Sequence, residues 1–309
     1  MGSGIQIERL YDEIRYRGRA ALQARTREIY SRVPELEKLP DERKSIVKKL
    51  AEREIGPETA SEQIRLLKEK EQKLLLENGY PVDALEMRYR CPACRDTGWT
   101  GEAKRRPCSC RLLLMASLDP DIGINDREVF EKVSETVYSD PEQKKRTLKA
   151  MKWAEKYADS LPSPDKPNIV FMGMTGLGKS YLSNAIAYRA LQKGIEAKRI
   201  TAYAFVQEML RAIQERRNGT DEIYTTVPLL VIDDLGSEPV IPNVTEETLF
   251  SVLNERINKR LPTIVATNLS VTALQDRYGE RVTSRLLDAN LVQAVLLTGD
   301  NLRRNDRTC

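Results

Sequence analysis

The chain has 309 residues, with 50 lysines and arginines, 46 aspartates and glutamates and no histidine, so its formal net charge is +4. This length accommodates about two domains, and the small charge permits a local nucleic-acid-binding patch without predicting one. The absence of histidine excludes Ser–His–Asp and Cys–His catalysis and every metal site that needs an imidazole ligand. No signal peptide and no run of about 18 apolar residues occurs, which predicts a cytoplasmic protein without membrane contact.

Residues 5–78 carry a helical pattern that is interrupted by proline. Apolar residues recur three and four positions apart among many charged ones. Pro34, Pro40 and Pro57 divide this pattern, so we expect three helices, the second of which starts at Pro40 and Asp41.

Four of the five cysteines lie in CPACRDTGWTGEAKRRPCSC, at Cys91, Cys94, Cys108 and Cys110. The C-x₂-C and C-x-C pairs can direct four sulfurs at one ion, which predicts a Zn²⁺ site. The ligands alone leave an iron–sulfur cluster open, whereas a redox pair fits poorly because no βαβ pattern surrounds it. The flanking basic residues either bind DNA or stabilise the thiolate–zinc complex. Cys309 is expected to be a free thiol without a role.

From residue 168 onward, short apolar runs alternate with amphipathic helices. The runs are NIVFM, AKRIT, PLLVID, PTIVAT and VQAVLLT. Strands that alternate with helices predict βαβ units and therefore an α/β fold with a parallel sheet. The three prolines of SLPSPDKP, residues 160–167, mark a boundary in front of this region.

The first of these runs leads into a phosphate-binding motif. Gly173–Ser180 reads G-x-x-x-x-G-K-S between a predicted strand and a predicted helix. Glycines let backbone amides point at phosphate oxygens, Lys179 is predicted to meet the β- and γ-phosphates, and the Ser180 hydroxyl is predicted to hold Mg²⁺. The predicted nucleotide-binding residues are Gly173, Met174, Thr175, Gly176, Leu177, Gly178, Lys179, Ser180 and Tyr181.

Polar residues follow the later strands. Asp233 is a predicted Mg²⁺ ligand, and Asp234 is predicted to activate the attacking water because a carboxylate beside the γ-phosphate can accept its proton. Asn268 follows the next strand, whose tip can place an amide near the same phosphate. Arg281 and Arg285 are four residues apart and hence lie on one face of a predicted helix. They are either ordinary surface residues or groups that reach a nucleotide bound by a neighbouring subunit.

The stretch RITAYAFVQEMLRAIQERR is a candidate contact for single-stranded DNA. Arg199, Tyr203, Phe205 and Arg211 mix cationic and aromatic side chains, which suits backbone contact and base stacking. Phe205 and Met209, four residues apart, are equally typical of a core-facing helix side.

In this order, the motifs GMTGLGKSYLSNAIA, LLVIDDLGSE, LFSVLNERINKRLPTIVATNL and YGERVTSRLL resemble the AAA+ ATPases of the DnaC/DnaI helicase-loader family. The resemblance covers about residues 168–300, and the cysteine segment is similar to that of DnaI-type loaders. It implies an AAA+ domain with a five-stranded sheet of order 5-1-4-3-2. It also implies Gly173–Ser180 as Walker A, Asp233 and Asp234 as Walker B, Asn268 as sensor 1 and Arg285 as an arginine finger acting in trans.

The resemblance further implies ATP and Mg²⁺ as cofactors, self-association, and slow ATP hydrolysis stimulated by assembly or single-stranded DNA. The implied role is to bind a hexameric DnaB-type replicative helicase and deliver it onto single-stranded DNA. Two alternatives stay open: an IstB-like, transposition-associated ATPase, and an adaptor whose nucleotide is locked in place. The predicted parts are a helical partner-binding region (1–85), a Cys₄ zinc module (86–115), a helical linker (116–160) and an AAA+ domain (161–309).

Overall fold

The computed structural model describes residues 2–101, 103–217 and 219–304, so the expectation for Cys309 lies outside the described residues. The chain forms two compact units, Met1–Thr97 and Gly98–Cys309. The four-part division made from the sequence stays a prediction. Among the described residues, no helix is both long and apolar enough to span a bilayer.

Three helices build most of the first unit: α1 (Gly2–Arg32), α2 (Pro34–Ala51) and α3 (Pro57–Glu77). Their shared core consists of Ile29, Val33, Leu36, Leu39, Leu75 and Ala84. The segment after α3 returns along α1, where Arg25 donates hydrogen bonds to the carbonyls of Ala84 and Glu86 at 2.5 and 2.7 Å.

The second helix begins at Pro34 and runs through Pro40, so the start predicted at Pro40 and Asp41 is wrong. Proline is well tolerated in a first turn, which explains Pro34, whereas an interior proline costs about 3 kcal/mol. Leu36 and Leu39 are fully buried beside Pro40. Because burial of a leucine contributes roughly 1.5–3 kcal/mol, these two side chains offset that cost.

The second unit opens with a short antiparallel pair, β1 (Trp99–Thr100) and β2 (Arg106–Pro107), followed by α4 (Ser109–Leu118) and α5 (Pro141–Ser160). Strands and helices then alternate. They are β3 (Asn168–Met172), α6 (Lys179–Gln192), β4 (Ala197–Thr201), α7 (Ala202–Gln214), α8 (Glu222–Thr226), β5 (Leu229–Leu235), α9 (Thr245–Asn258), β6 (Thr263–Thr267), α10 (Val271–Leu286) and β7 (Val292–Leu296).

The strands β3 to β7 form one parallel sheet in the order β4-β5-β6-β3-β7. When β3 is counted as the first strand, this is 5-1-4-3-2 read from the other edge, so the predicted fold class is confirmed. Successive residues of β3 point to opposite faces of the sheet. Ile169 and Phe171 join a core with α4, α5 and α6, whereas Val170 and Met172 join a core with α7, α9 and α10. Helices therefore cover both faces, which explains why the central strands are almost wholly apolar.

Candidate nucleotide-binding site

The loop between β3 and α6 packs so closely against the segment after β7 that two of its glycines have no room for a side chain. A Cβ atom on Gly173 would lie 2.2 Å from the carbonyl oxygen of Leu297, and one on Gly176 would lie 1.9 Å from Oδ1 of Asn301. Both glycines have positive φ angles, 137° and 85°, and the Leu302 amide donates to the Gly176 carbonyl at 2.9 Å. The segment after β7 thus holds the loop in the curled shape that phosphate binding needs.

This loop lines a cavity of about 640 Å³ at the carboxyl ends of the strands. Of the predicted nucleotide-binding residues, Thr175, Gly176, Gly178, Lys179, Ser180 and Tyr181 line it. Asp233, Asp234 and Asn268 also line it, so the structure brings the predicted P-loop, acidic and amide groups together. Leu177 is instead buried in the core below the loop.

The ammonium group of Lys179 is anchored by three oxygens. Its Nζ donates to the carbonyls of Gly173 and Met174 at 2.7 and 2.8 Å and to Oδ1 of Asn268 at 2.5 Å. Burial lowers the pKa of Lys179, while the nearby charges of Asp234 and Asp233 favour the charged form. The cation is therefore fixed where it can meet phosphate oxygens.

The two acids of β5 face different surroundings. Asp233 is buried and accepts a hydrogen bond from the Ser180 hydroxyl at 3.0 Å. The pairing of β5 with β6 shifts register between Ile232 and Leu235, and Asp234 has a φ angle of 55° there. Such a bulge re-aims a side chain, and Asp234 is exposed at the cavity.

Asn268 links the two halves of the site, because its amide group donates to Oδ1 of Asp234 at 3.1 Å while its oxygen accepts from Lys179. Hydroxyl and carboxylate oxygens are the ligands that Mg²⁺ prefers, so Ser180 and Asp233 fit a magnesium ion, which would neutralise phosphate charge. Asp234 can accept a proton from a water beside the γ-phosphate, and Lys179 can stabilise negative charge there. The arrangement is suited to phosphoanhydride hydrolysis.

Sequence reasoning missed the groups that cover this cavity: Glu128, Lys132, Ser134, Tyr138, Met151 and Arg303. The Tyr181 hydroxyl donates to the Val129 carbonyl at 2.6 Å and so ties the covering segment to α6. No motif marks this segment. Arg303 had a usable signal, since it follows the last strand of a parallel sheet and hence starts from the same edge as the P-loop.

Arg285 lies at the opposite end of the sheet. It lines a small pocket with Asn168, Thr263 and Val292, the first residues of β3, β6 and β7. Five-residue strands at ~3.3 Å per residue separate it from the cavity, so Arg285 cannot reach its own chain's nucleotide. Arg281, the second choice for an arginine finger, pairs with Glu247 at 3.5 Å and lies over the Phe250 ring.

The family of IstB-like ATP binding proteins matches residues 130–308, which contain the P-loop, both acids, Asn268 and Arg285. The chain belongs to this family. It is therefore an AAA+ P-loop protein of an ATP-binding family, and the comparisons support the IstB-like alternative about as well as the loader family.

Curated relatives of this IstB-like chain include insertion-sequence proteins and a helicase loader. The insertion sequence IS232 ATP-binding protein of Bacillus thuringiensis subsp. berliner is 30% identical over 143 residues, which are 45% of this chain and 56% of that protein. The replicative helicase loader DnaI of Bacillus subtilis is 28% identical over 142 residues, 42% of this chain and 46% of that protein. The chain spans about half the length of these relatives.

Among solved structures, AMPPCP-bound DnaA from Aquifex aeolicus is similar to this IstB-like chain with 23% identity and a TM-score of 0.46, covering 59% of this chain and 53% of that one.

The four residues predicted to contact DNA do not form one surface. The Arg199 guanidinium lies 2.6 Å from Asp233 in the cavity, and Phe205 is fully buried with its ring edge-on to Tyr224. Phe205 cannot stack on a base from this buried position, so the expectation is wrong for Phe205, whereas the contact of Arg199 with DNA stays a prediction. Tyr203 and Arg211 are exposed on α7, and their contact with DNA stays a prediction.

The four clustered cysteine sulfurs lie within 4.8 Å of one another. They belong to Cys91, Cys94, Cys108 and Cys110. Tetrahedral Zn–S bonds of ~2.3 Å place sulfurs about 3.8 Å apart, so the donor set and its spacing fit zinc. The buried Asp96 carboxylate accepts from the amides of Arg90 and Cys91 at 3.0 and 2.7 Å, which shapes the turn around the first cysteine pair.

We expect purified protein to contain about one zinc per chain, measured by elemental analysis. Because structural zinc contributes folding energy, Cys94→Ser should remove the metal and destabilise the protein by about 4 kcal/mol or more. Cys309→Ser, which leaves the cluster intact, is the matched control. Metal-free protein with unchanged stability would contradict a structural zinc site.

Proposed function

We propose that this chain is an ATPase that loads a DnaB-type replicative helicase onto single-stranded DNA, with ATP controlling its self-association. The observation that carries the ATPase is the joint placement of Lys179, Asp234 and Asn268 at one cavity mouth. The position of Arg285 at the other end of the sheet supports the proposed self-association. If one subunit's Arg285 completes the next subunit's site, hydrolysis depends on assembly, which is the behaviour of a switch.

The helicase-loading role rests on the similarity to DnaI and on the cysteine segment that precedes the ATPase, which resembles that of DnaI-type loaders. The first unit, with its many exposed charges, is the proposed contact for the helicase. A role beside a transposase is the second candidate, because the matching family and the IS232 relative both favour it.

The two roles are separated by co-elution of the full chain, with ATP and Mg²⁺, with the hexameric helicase or with an IS21-type transposase of the same source. We expect a complex with the helicase. We also expect single-stranded DNA to stimulate phosphate release about tenfold or more, because assembly that brings an arginine finger to the nucleotide accelerates hydrolysis. Lys179→Ala, which lacks the phosphate-binding cation, is the control for ATP dependence. Binding to the transposase alone would replace the loader role by the second candidate, and failure with both partners would reject both.

A further inference from the structure

The guanidinium of Arg199 occupies one oxygen of the buried acid that is predicted to hold Mg²⁺. Its NH2 group lies 2.6 Å from Oδ2 of Asp233, and the two side chains are only 16% and 6% exposed. The other oxygen, Oδ1, accepts from the Ser180 hydroxyl and from the Asp234 amide, both at 3.0 Å. The carboxylate is therefore neutralised by a cation of its own chain, with both oxygens engaged.

A second carboxylate lies within reach of the same guanidinium. The NH1 group of Arg199 is 3.4 Å from Oε2 of Glu128, which lines the nucleotide cavity. Asn184, which is fully buried, donates to the carbonyls of Asn125 and Glu128 at 2.8 Å each and so fixes the backbone around Glu128. The guanidinium of Arg199 thus lies between two carboxylates, and it is closer to that of Asp233 than to that of Glu128.

We propose that Arg199 is a built-in competitor of the divalent cation at Asp233, and that Glu128 is the partner that receives its guanidinium when Asp233 becomes a metal ligand. Two cations on one buried carboxylate repel each other, so a metal ion at Asp233 weakens the attraction that holds Arg199 on Oδ2. A charge released inside a cavity needs another partner, and Glu128 is already fixed beside it. This inference rests on the proposed ATPase function and adds a regulatory step to its site.

The test measures how much Mg²⁺ the full-length protein needs to bind a fluorescent, non-hydrolysable ATP analogue. We expect Arg199→Ala to lower the half-saturating Mg²⁺ concentration about tenfold, the low end of what a paired cation does to a carboxylate. Arg199→Lys, which keeps the charge without the forked donors, should give an intermediate value. Lys198→Ala is the matched control, because Lys198 is the neighbouring cation on β4 and contacts the Asp121 carbonyl and the Tyr224 ring, neither of which lines the nucleotide cavity.

Glu128→Gln should have the effect opposite to that of Arg199→Ala. It should raise the half-saturating Mg²⁺ concentration about two- to fivefold, as expected for the loss of a partly exposed ion pair. In the Arg199→Ala background the same change should have no effect, because Glu128 then has no guanidinium to receive. An unchanged or higher Mg²⁺ requirement in Arg199→Ala overturns the competitor role, and a Glu128→Gln effect that persists without Arg199 overturns the transfer. If unaltered protein does not bind the analogue with Mg²⁺, the proposed ATPase itself fails, which is a distinct result.

Discussion

An Asp234→Asn chain is expected to bind ATP with Mg²⁺ normally but to release phosphate at least about 100-fold more slowly, the loss typical of a missing general base. Asparagine has the shape of aspartate and keeps an oxygen that can accept the hydrogen bond from Asn268. It cannot take up the proton of the attacking water. Steady-state phosphate release and equilibrium binding of a fluorescent ATP analogue measure the two effects separately.

Asp276→Asn is the control for this change, since Asp276 is an exposed aspartate on α10. It should leave both quantities unchanged. An Asp234→Asn chain with a near-normal rate would assign the base to another group. Equal losses of binding and rate would make Asp234 a binding residue, and its position on the bulge of β5 would then serve nucleotide affinity.

The sequence allowed the centre of the site to be predicted for a topological reason. Lys179 and Asn268 follow strands, and Asp233 lies near the end of β5. The carboxyl ends of parallel strands meet at one edge of a sheet. Once alternating strands and helices indicate a parallel sheet, residues 89 positions apart such as Lys179 and Asn268 are expected close together, and they are 2.5 Å apart.

The remaining parts of the site could not be predicted in this way because they depend on where long side chains reach. Arg199 is paired with Val231 in the β4–β5 register, yet its guanidinium reaches Asp233, two residues further along β5. The mixture of cationic and aromatic residues in RITAYAFVQEMLRAIQERR is what favoured a DNA contact for Arg199. Only the three-dimensional proximity of Asp233 and Glu128 gives Arg199 its place in the cavity.

Arg256 shows the same limit in the core. The run NERINKR is typical of a solvated helix end, but Arg256 is fully buried. Its guanidinium donates to Thr263 and to the carbonyls of Tyr224, Val227 and Pro262, and burial lowers its pKa to about 9. A periodicity pattern assigns charged residues to the surface and has no signal for a cation surrounded by carbonyls.

An Arg285→Ala chain is expected to bind ATP normally and to lose hydrolysis by about 10³-fold or more, the effect of removing an arginine finger. The reason is geometric, because Arg285 and the nucleotide cavity lie at opposite ends of the same sheet. A head-to-tail interface between identical subunits brings such opposite ends together. Phosphate release measured over a range of protein concentrations should rise steeply for the unaltered chain and stay flat for the variant.

Mixing two inactive chains provides the decisive form of this experiment. Lys179→Ala has a defective cavity but an intact Arg285, whereas Arg285→Ala has an intact cavity, so a mixture should regain hydrolysis where the intact cavity meets the intact arginine. Arg281→Ala is the matched control, because Arg281 lies one turn before Arg285 on α10 but is already paired with Glu247. Full activity of Arg285→Ala together with loss in Arg281→Ala would move the finger to Arg281, and a mixture that stays inactive would show that Arg285 does not act across a subunit boundary.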